Sequence, residues 1–390
     1  MACPSLAAIG QVYYTDVGEG KARGSKAAIS MKIAIIGLAN SGKTTVFNAL
    51  TGGSAETTVY SSGQLTPNLA TVRVPDPRLE ILARMFNPKK VTYADVQYID
   101  IGGLSSGARE SGGLPPVVLN YISGADALLH VVRAFHDERV PHPDGSVDVQ
   151  RDIEAVDLEL AFSDLAIIER RLARLNAEIG KMSAKERENR LIERDALVRI
   201  QSALESSTPI RDIDLSSEEE RLLRGYQFLT AKPLLLAINI GEDQLTNPPA
   251  IHYDHRRSGV ATLCGKIEAE LAQLDEDEAR AFMDDLGITE PARNRVIALS
   301  YELLGLISFL TAGPDEVRAW TIRRGTPAVE AAGVIHSDIQ RGFIRAEVVA
   351  YDDLVRAGSM AEARKHGHVR MEGKQYIVQD GDVCHFLFNI

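Results

Sequence analysis

The stretch "GLANSGKT", residues 37–44, decides the fold. It fits the P-loop pattern G-x-x-x-x-G-K-[ST], with Gly37, Gly42, Lys43 and Thr44 at the four fixed positions. Immediately upstream, "MKIAII" (31–36) is a short apolar run rich in β-branched residues, the texture of a strand buried on both faces. Downstream, "TTVFNALTGG" (44–53) carries Val46, Phe47 and Leu50 at helical spacing and stops at a glycine pair. Strand, glycine-rich turn and helix in that order leave backbone N–H groups and a helix N-terminus aimed into one concavity, which suits a polyphosphate. In that geometry Lys43 reaches the β and γ phosphates and the Thr44 hydroxyl is a Mg2+ ligand.

Composition bounds the rest. At 390 residues, 45% hydrophobic and 25% charged, the chain has the makeup of a soluble protein with two or three cores. No run of eighteen apolar residues is present, so no membrane span is expected. A net charge of −11 argues against sequence-indifferent nucleic-acid binding over the whole surface, though not against a local basic patch. Cys3, Cys264 and Cys384 lie far apart with no C-x-x-C pair, which gives neither a zinc site nor a disulfide framework and fits a reducing cytoplasm. Residues 1–30 lack the basic n-region and apolar core of a secretory signal; they read as a disordered extension or as an upstream start, with Met31 standing where the strand–loop–helix domain would begin.

Further strand patterns follow at "ATVRVP" (70–75), "VQYIDIGG" (96–103), "DALLHVVRAF" (126–135), "KPLLLAIN" (232–239) and "GVATLCG" (259–265). They read as one mostly parallel sheet with helices on both faces, a discontinuous nucleotide-binding domain over 31–150 and 231–305. Between its halves, residues 151–230 are helical: Leu165, Ile168, Leu172, Leu175, Ile179 and Met182 step by three and four like a coiled-coil seam. "SAKERENR" (183–190) is expected to turn the chain and Leu191–Leu204 to return it, giving a helical hairpin that is either a docking arm or a solvated lobe. From 306 to 390 short strands and one helix near Pro327–Val334 read as a small α+β domain.

The P-loop needs a carboxylate on the metal side, and Asp100 in "DIGG" ends a strand as that role requires. Gly103 completes a D-x-x-G pattern whose backbone N–H meets a γ-phosphate. Leu104 follows, where Ras-like GTPases place the glutamine that orients the attacking water, so another group must supply that polarisation or hydrolysis is slow. His142, in the polar loop "HDERVPHPDG" (136–145), is the candidate, against the plain reading of a loop histidine; His130, inside an apolar strand, reads as a core residue. Guanine-specific proteins carry N-K-x-D after the strand that here ends "AIN". This chain has Asn239, Ile240, Gly241 and Glu242, without the lysine and with a longer carboxylate, which favours ATP over GTP, with Asn239 on the purine and Glu242 nearby.

Together these pieces resemble the YchF or Obg-like ATPases, over nearly all of residues 31–390. The resemblance rests on "GLANSGKTT", "PDPRLEILARMFNPKK" (75–90), "YIDIGGL" (98–104), "AINIGED" (237–243), "NRVIALSYELLGLISFLTAGPDEVRAWTIRRGT" (294–326) and "AAGVIHSDIQRGFIRAEVVAYDDL" (331–354). It implies a P-loop GTPase-like α/β domain, a coiled-coil insertion and a C-terminal TGS domain of β-grasp fold. It also implies a slow, Mg2+-dependent ATPase that associates with ribosomes, with RNA or protein as possible clients of the TGS domain. Ser41, Gly42, Lys43, Thr44 and Thr45 then hold phosphates, Thr44 and Asp100 the metal, and Asn40 matches the asparagine that holds K+ in potassium-activated relatives. His142 falls on the family's proposed catalytic histidine. In the switch I stretch "SSGQLTPN" (61–68) Gln64 stands where relatives have threonine, with Thr66 two residues later as an alternative Mg2+ ligand, and Ala39 replaces the usual proline. Two rivals stay open: an Obg-type GTPase, and an ATP-gated binding module without hydrolysis.

Overall fold

The computed structural model describes residues 31–53, 67–101, 115–181 and 183–389. The extension 1–30, Gln64, Thr66, Met182, Gly103 and Leu104 lie outside the described residues. The chain forms two units: one runs up to Val74 and resumes over Asp95–Gly305, the other joins Pro75–Ala94 to the chain from Leu306 onward.

In the first unit β1 (Lys32–Ile36), β4 (Asp95–Asp100), β5 (Ala127–Arg133), β6 (Leu234–Asn239) and β7 (Ser258–Leu263) form a parallel sheet in the order β4-β1-β5-β6-β7. β2 (Asn68–Arg73) closes one edge, antiparallel to β4. Every residue of β5 and β6 is buried, which is why "ALLHVVR" and "LLLAIN" read as continuous apolar runs instead of alternating ones. Three positions in these runs break the rule, His130, Arg133 and Asn239, and all are buried all the same. The sheet's C-terminal ends carry the P-loop and the segments after β5 and β6, the edge where open α/β sheets bind ligands.

The inserted segment folds as a hairpin of two helices, Val149–Glu178 and Ala184–Glu205. Ile168, Leu172 and Leu175 pack with Ala196, Leu197, Ile200 and Leu204, with Leu165 and Ile179 partly buried beside them. Burying each large side chain of this seam stabilises the hairpin by about 1.5–3 kcal/mol. The return helix begins at Ala184, not near Leu191, so residues 184–190 of "SAKERENR" are helix and the first helix gives way to the short 3-10 segment Ile179–Lys181. The reason is local: Ala, Lys, Glu and Arg are strong helix formers, whereas Gly180 and Ser183 are not. Its base is pinned by Asp164, whose buried carboxylate accepts from Leu229 N, Thr230 N and Thr230 Oγ1 at 2.8, 2.8 and 2.7 Å. Burial outweighs those bonds and pushes the Asp164 carboxyl up to about 6.

In the second unit β8 (Leu306–Ala312) and β9 (Glu316–Arg323) form an antiparallel hairpin. The helix Ala328–Ile335 crosses one face, β10 (Phe343–Ala350) pairs with β11 (Arg370–Glu372), and β12 (Asp382–Phe388) returns between β10 and β8, parallel to β8. The order β11-β10-β12-β8-β9 is that of a β-grasp. The helix buries Ala328, Ala331, Ala332 and Gly333, small residues that let it sit close above Phe309, Ile322 and Phe386. "PDPRLEILARMFNPKK", placed by sequence in the nucleotide-binding domain, belongs to this unit instead. Its helix (Pro77–Phe86) buries Leu79 and Leu82 completely, and β3 (Lys90–Thr92) adds to the free edge of β9 in parallel register. Arg78 ties it down through Asp76 and Asp380. No helix among the described residues is long and apolar enough to cross a membrane.

Candidate functional site

The P-loop has the backbone its glycines predict. Gly37 and Gly42 take φ of +143° and +90°, and a Cβ on Gly37 would stand 2.3 Å from the Val131 carbonyl oxygen, so no other residue fits there. Asn40 also has positive φ, 61°, a conformation asparagine tolerates better than most. The P-loop helix (Lys43–Thr51) starts at Gly42 with no side-chain cap. Its first N–H groups are thus left for an anion, and the helix dipole adds to the attraction. Inside this cradle the Ser41 hydroxyl is buried without a hydrogen-bond partner among the described residues. A buried orphan donor beside an uncapped helix start is the signature expected of a phosphate seat.

Lys43 is folded back onto the loop, its Nζ donating to the carbonyls of Leu38 at 2.7 Å and Gly37 at 3.1 Å. Burial draws the ammonium down to about 8, against the opposing pull of Asp100. Thr44 Oγ1 donates to Asp100 Oδ2 at 2.9 Å, so the two metal-side groups predicted from sequence stand in contact. A hydroxyl and a carboxylate are hard oxygen donors, the kind Mg2+ takes beside phosphates. Thr45 follows on the same helix. His130 is fully buried on β5, with its imidazole pushed down to about 3 by burial and then by the charge of Lys43, so it is a neutral core side chain.

His142 lies one residue beyond a direct tie to the P-loop: Asn40 Nδ2 donates to the Pro141 carbonyl at 3.0 Å. The imidazole is held by Asp152 Oδ2, 2.8 Å from Nε2, and by the Asp144 backbone N–H, 3.1 Å from Nδ1. The Asn40 amide thus tethers the histidine loop, while its oxygen has no protein partner among the described residues. Asn239 is a scaffold residue. Its Nδ2 donates to the Ser41 carbonyl and its Oδ1 accepts from Gly265 N–H, both at 3.0 Å, joining the P-loop to the helix after β7. One amide hydrogen remains for a base. Glu242 is on the surface beside it, and its carboxylate is engaged by Lys266 Nζ at 2.6 Å.

Three residues here were not found by sequence reading. Arg133 is buried at the end of β5; it donates through Nε to Phe135 O at 3.1 Å and through Nη2 to Val140 O at 2.8 Å, shaping the loop that carries His142. Its guanidinium lies 4.4 Å from the Phe135 ring centroid. An arginine inside an apolar strand was the available signal, because such a residue is seldom buried without a task. Asp152 and Lys266 are set beside His142 and Glu242 by the fold and carry no local pattern of their own. The predicted set around Asn40, Ser41, Gly42, Lys43, Thr44, Asp100, His142 and Asn239 is brought together in one place.

A family model described as "50S ribosome-binding GTPase" matches residues 32–173. A model for the C-terminal part of YchF GTPases, described as "Protein of unknown function (DUF933)", matches residues 306–389. The chain is 40% identical to the "Ribosome-binding ATPase YchF" of Bacillus subtilis over 370 residues, covering 93% of this chain and 100% of that one. It is 42% identical to the protein of the same name in Pasteurella multocida, with the same coverage. "Obg-like ATPase 1" of Caenorhabditis elegans is 37% identical, with 92% of each chain covered. The solved Schizosaccharomyces pombe YchF GTPase superposes with a TM-score of 0.79 at 30% identity, covering 92% of this chain and 98% of that one. With relatives about 40% identical over 93% of its length and over the whole of theirs, the chain belongs to the YchF, or Obg-like ATPase, family.

Proposed function

We propose that this protein is a slow, Mg2+-dependent ATPase of the cytoplasm whose nucleotide state switches an association with the ribosome. The observation that carries the hydrolase reading is the contact between Thr44 Oγ1 and Asp100 Oδ2, 2.9 Å, beside the uncapped start of the P-loop helix. Thr44 and Asp100 are the residues that would hold Mg2+, which would supply positive charge against the negative charge that builds up during transfer. Lys43 exchanges its two carbonyl partners for phosphate oxygens, which return it to full charge. Ser41 Oγ gains the partner it lacks. His142, tethered through Asn40 and Pro141, supplies the water-orienting contact for which Leu104 is unfit. The Asn40 amide oxygen is free to accept a K+ ion, which would add positive charge at the phosphates as an arginine finger does.

ATP is favoured over GTP because guanine needs an ionised carboxylate to accept N1–H and its 2-amino group together. Here Ile240 and Glu242 stand where guanine readers have lysine and aspartate, and the longer Glu242 carboxylate is on the surface, paired with Lys266 at 2.6 Å. The ribosome enters from the relatives' names and from the "50S ribosome-binding" description of the model matched at 32–173. The hairpin is its natural docking arm and the β-grasp sheet a face for RNA or protein. Phosphate release from ATP and from GTP, measured with K+ or Na+ and with or without large ribosomal subunits, tests the reading. Turnover selective for ATP, raised by K+ and altered by subunits, is expected. Preferential GTP turnover overturns the base assignment, and tight ATP binding without turnover makes the chain a binding module.

A further inference from the structure

We propose that Asp152 is the positioning residue for His142: it holds the imidazole in one tautomer, so that Nδ1 is the atom presented to the attacking water. The inference rests on the reading of His142 given above. His142 Nδ1 faces the backbone N–H of Asp144 at 3.1 Å. A peptide N–H only donates, so Nδ1 carries a lone pair and the ring proton sits on Nε2. Nε2 lies 2.8 Å from Asp152 Oδ2, and the imidazole N–H donates to that carboxylate. The tautomer follows from the two partners.

The rest of the shell keeps this arrangement rigid. The two side chains are only 4% and 3% exposed, so solvent does little to loosen their bond. The other oxygen of Asp152 accepts from Arg151 Nε and Nη2 at 3.1 and 2.8 Å, which prevents the carboxylate from turning away. Arg151 is itself fixed by the Ser146 carbonyl at 2.7 Å, and Asp148 caps the helix that carries both residues. On the loop side, Asn40 and Arg133 hold the carbonyls of Pro141 and Val140. The ring is therefore fixed at Nε2 by the long hairpin helix and its backbone is fixed by the P-loop. The weaker bond, a neutral one from the Asp144 N–H to Nδ1, is the one that gives way to water. Nδ1 then accepts the water's O–H while Asp152 keeps Nε2–H in place. This is the logic of a carboxylate that orients a histidine without taking its proton, here with the ring nitrogens in exchanged roles from those of the serine-protease triad.

The test uses the full-length protein. In protein labelled with 15N at histidine, the His142 resonances are identified by their loss in His142→Gln, and the expected pattern is a protonated Nε2 with an unprotonated Nδ1. A proton on Nδ1 in the unmodified protein overturns the proposal, whatever the variants do. In Asp152→Asn the amide can donate to Nε2 and move the proton to Nδ1, against the Asp144 N–H. Single-turnover ATP hydrolysis should then slow about 10²–10³-fold, with KM for ATP changed less than about threefold. A variant that raises KM and leaves the rate untouched contradicts the positioning role. So does wild-type turnover in Asp152→Asn while His142→Ala is inactive, a result that leaves the His142 reading intact. If His142→Ala itself hydrolyses ATP at the normal rate, the His142 reading fails, and the role of Asp152 fails with it.

Discussion

Asn239 offers the sharpest test of how the nucleotide site is built, because its side chain serves the fold before any nucleotide arrives. Its amide joins the Ser41 carbonyl to the Gly265 N–H at 3.0 Å each, and all three residues are buried. Asn239→Ala leaves one buried acceptor and one buried donor unmatched, each costing about 1–3 kcal/mol, so the nucleotide-free protein should lose about 2–5 kcal/mol. Asn239→Asp keeps the bond from Gly265 but sets a carboxylate oxygen against the Ser41 carbonyl. At pH 7 it should cost more than the alanine, about 3–5 kcal/mol, and the gap should narrow at acid pH as the new carboxyl regains a proton to donate. Urea unfolding followed by far-UV circular dichroism, with hydrogen exchange at the Gly265 amide, reads the effect. The single tryptophan, Trp320, lies in the C-terminal unit, so its fluorescence reports on the wrong part of the chain. If the side chain served only the base, nucleotide-free Asn239→Ala would unfold within about 0.5 kcal/mol of the parent, and the scaffold argument would be refuted.

Other consequences can be measured directly. Burial lowers Lys43 to about 8, and bound phosphates raise it again, so ATP affinity should be level below pH 8 and then fall by up to about tenfold per pH unit above it. Calorimetry in buffers of different ionisation heat would register proton uptake there, and a flat affinity from pH 7 to about 9.5 contradicts the shift. Asp164 has a folded value near 6, above the ordinary carboxyl range, so its contribution to stability is full below about pH 4 and is lost as pH rises through 6. Measured against the non-titrating Asp164→Asn, the parent should therefore gain about 2 kcal/mol between pH 7 and pH 4.5, and a constant difference in urea midpoints speaks against it. Arg133→Lys keeps the charge but cannot hold both Phe135 O and Val140 O. Hydrogen exchange over 136–142 should quicken and turnover fall about tenfold, whereas unchanged exchange would mean that the loop is shaped by something else.

The strand, P-loop and first helix were legible because their signal is local: glycines where φ is positive, a lysine at fixed spacing, an apolar run of strand length. The same holds for the hairpin seam from Leu165 to Ile179, whose period survives any tertiary arrangement. What escaped depends on long-range pairing. "PDPRLEILARMFNPKK" looks like any strand-to-helix connection, yet β3 pairs with β9 far along the chain, and no local pattern announces that partner. The hairpin turn was misplaced because polar residues were read as a loop, although "SAKERENR" is a sequence of helix formers. At the site, sequence gave the residue types but not their partners. Asn239 reads as a base reader and is first a strut; His142 reads as a candidate water-orienting group, but nothing local announces that Asp152 stands beside it.

The central claim, a P-loop site that prefers adenine because Ile240 and Glu242 replace the lysine and aspartate of guanine readers, is tested most directly by titrating ATP and GTP into the full-length protein by calorimetry with Mg2+ present. ATP binding at least about tenfold tighter than GTP, a difference of about 1.4 kcal/mol, is the predicted result. GTP binding as tightly as ATP, or more tightly, would contradict it.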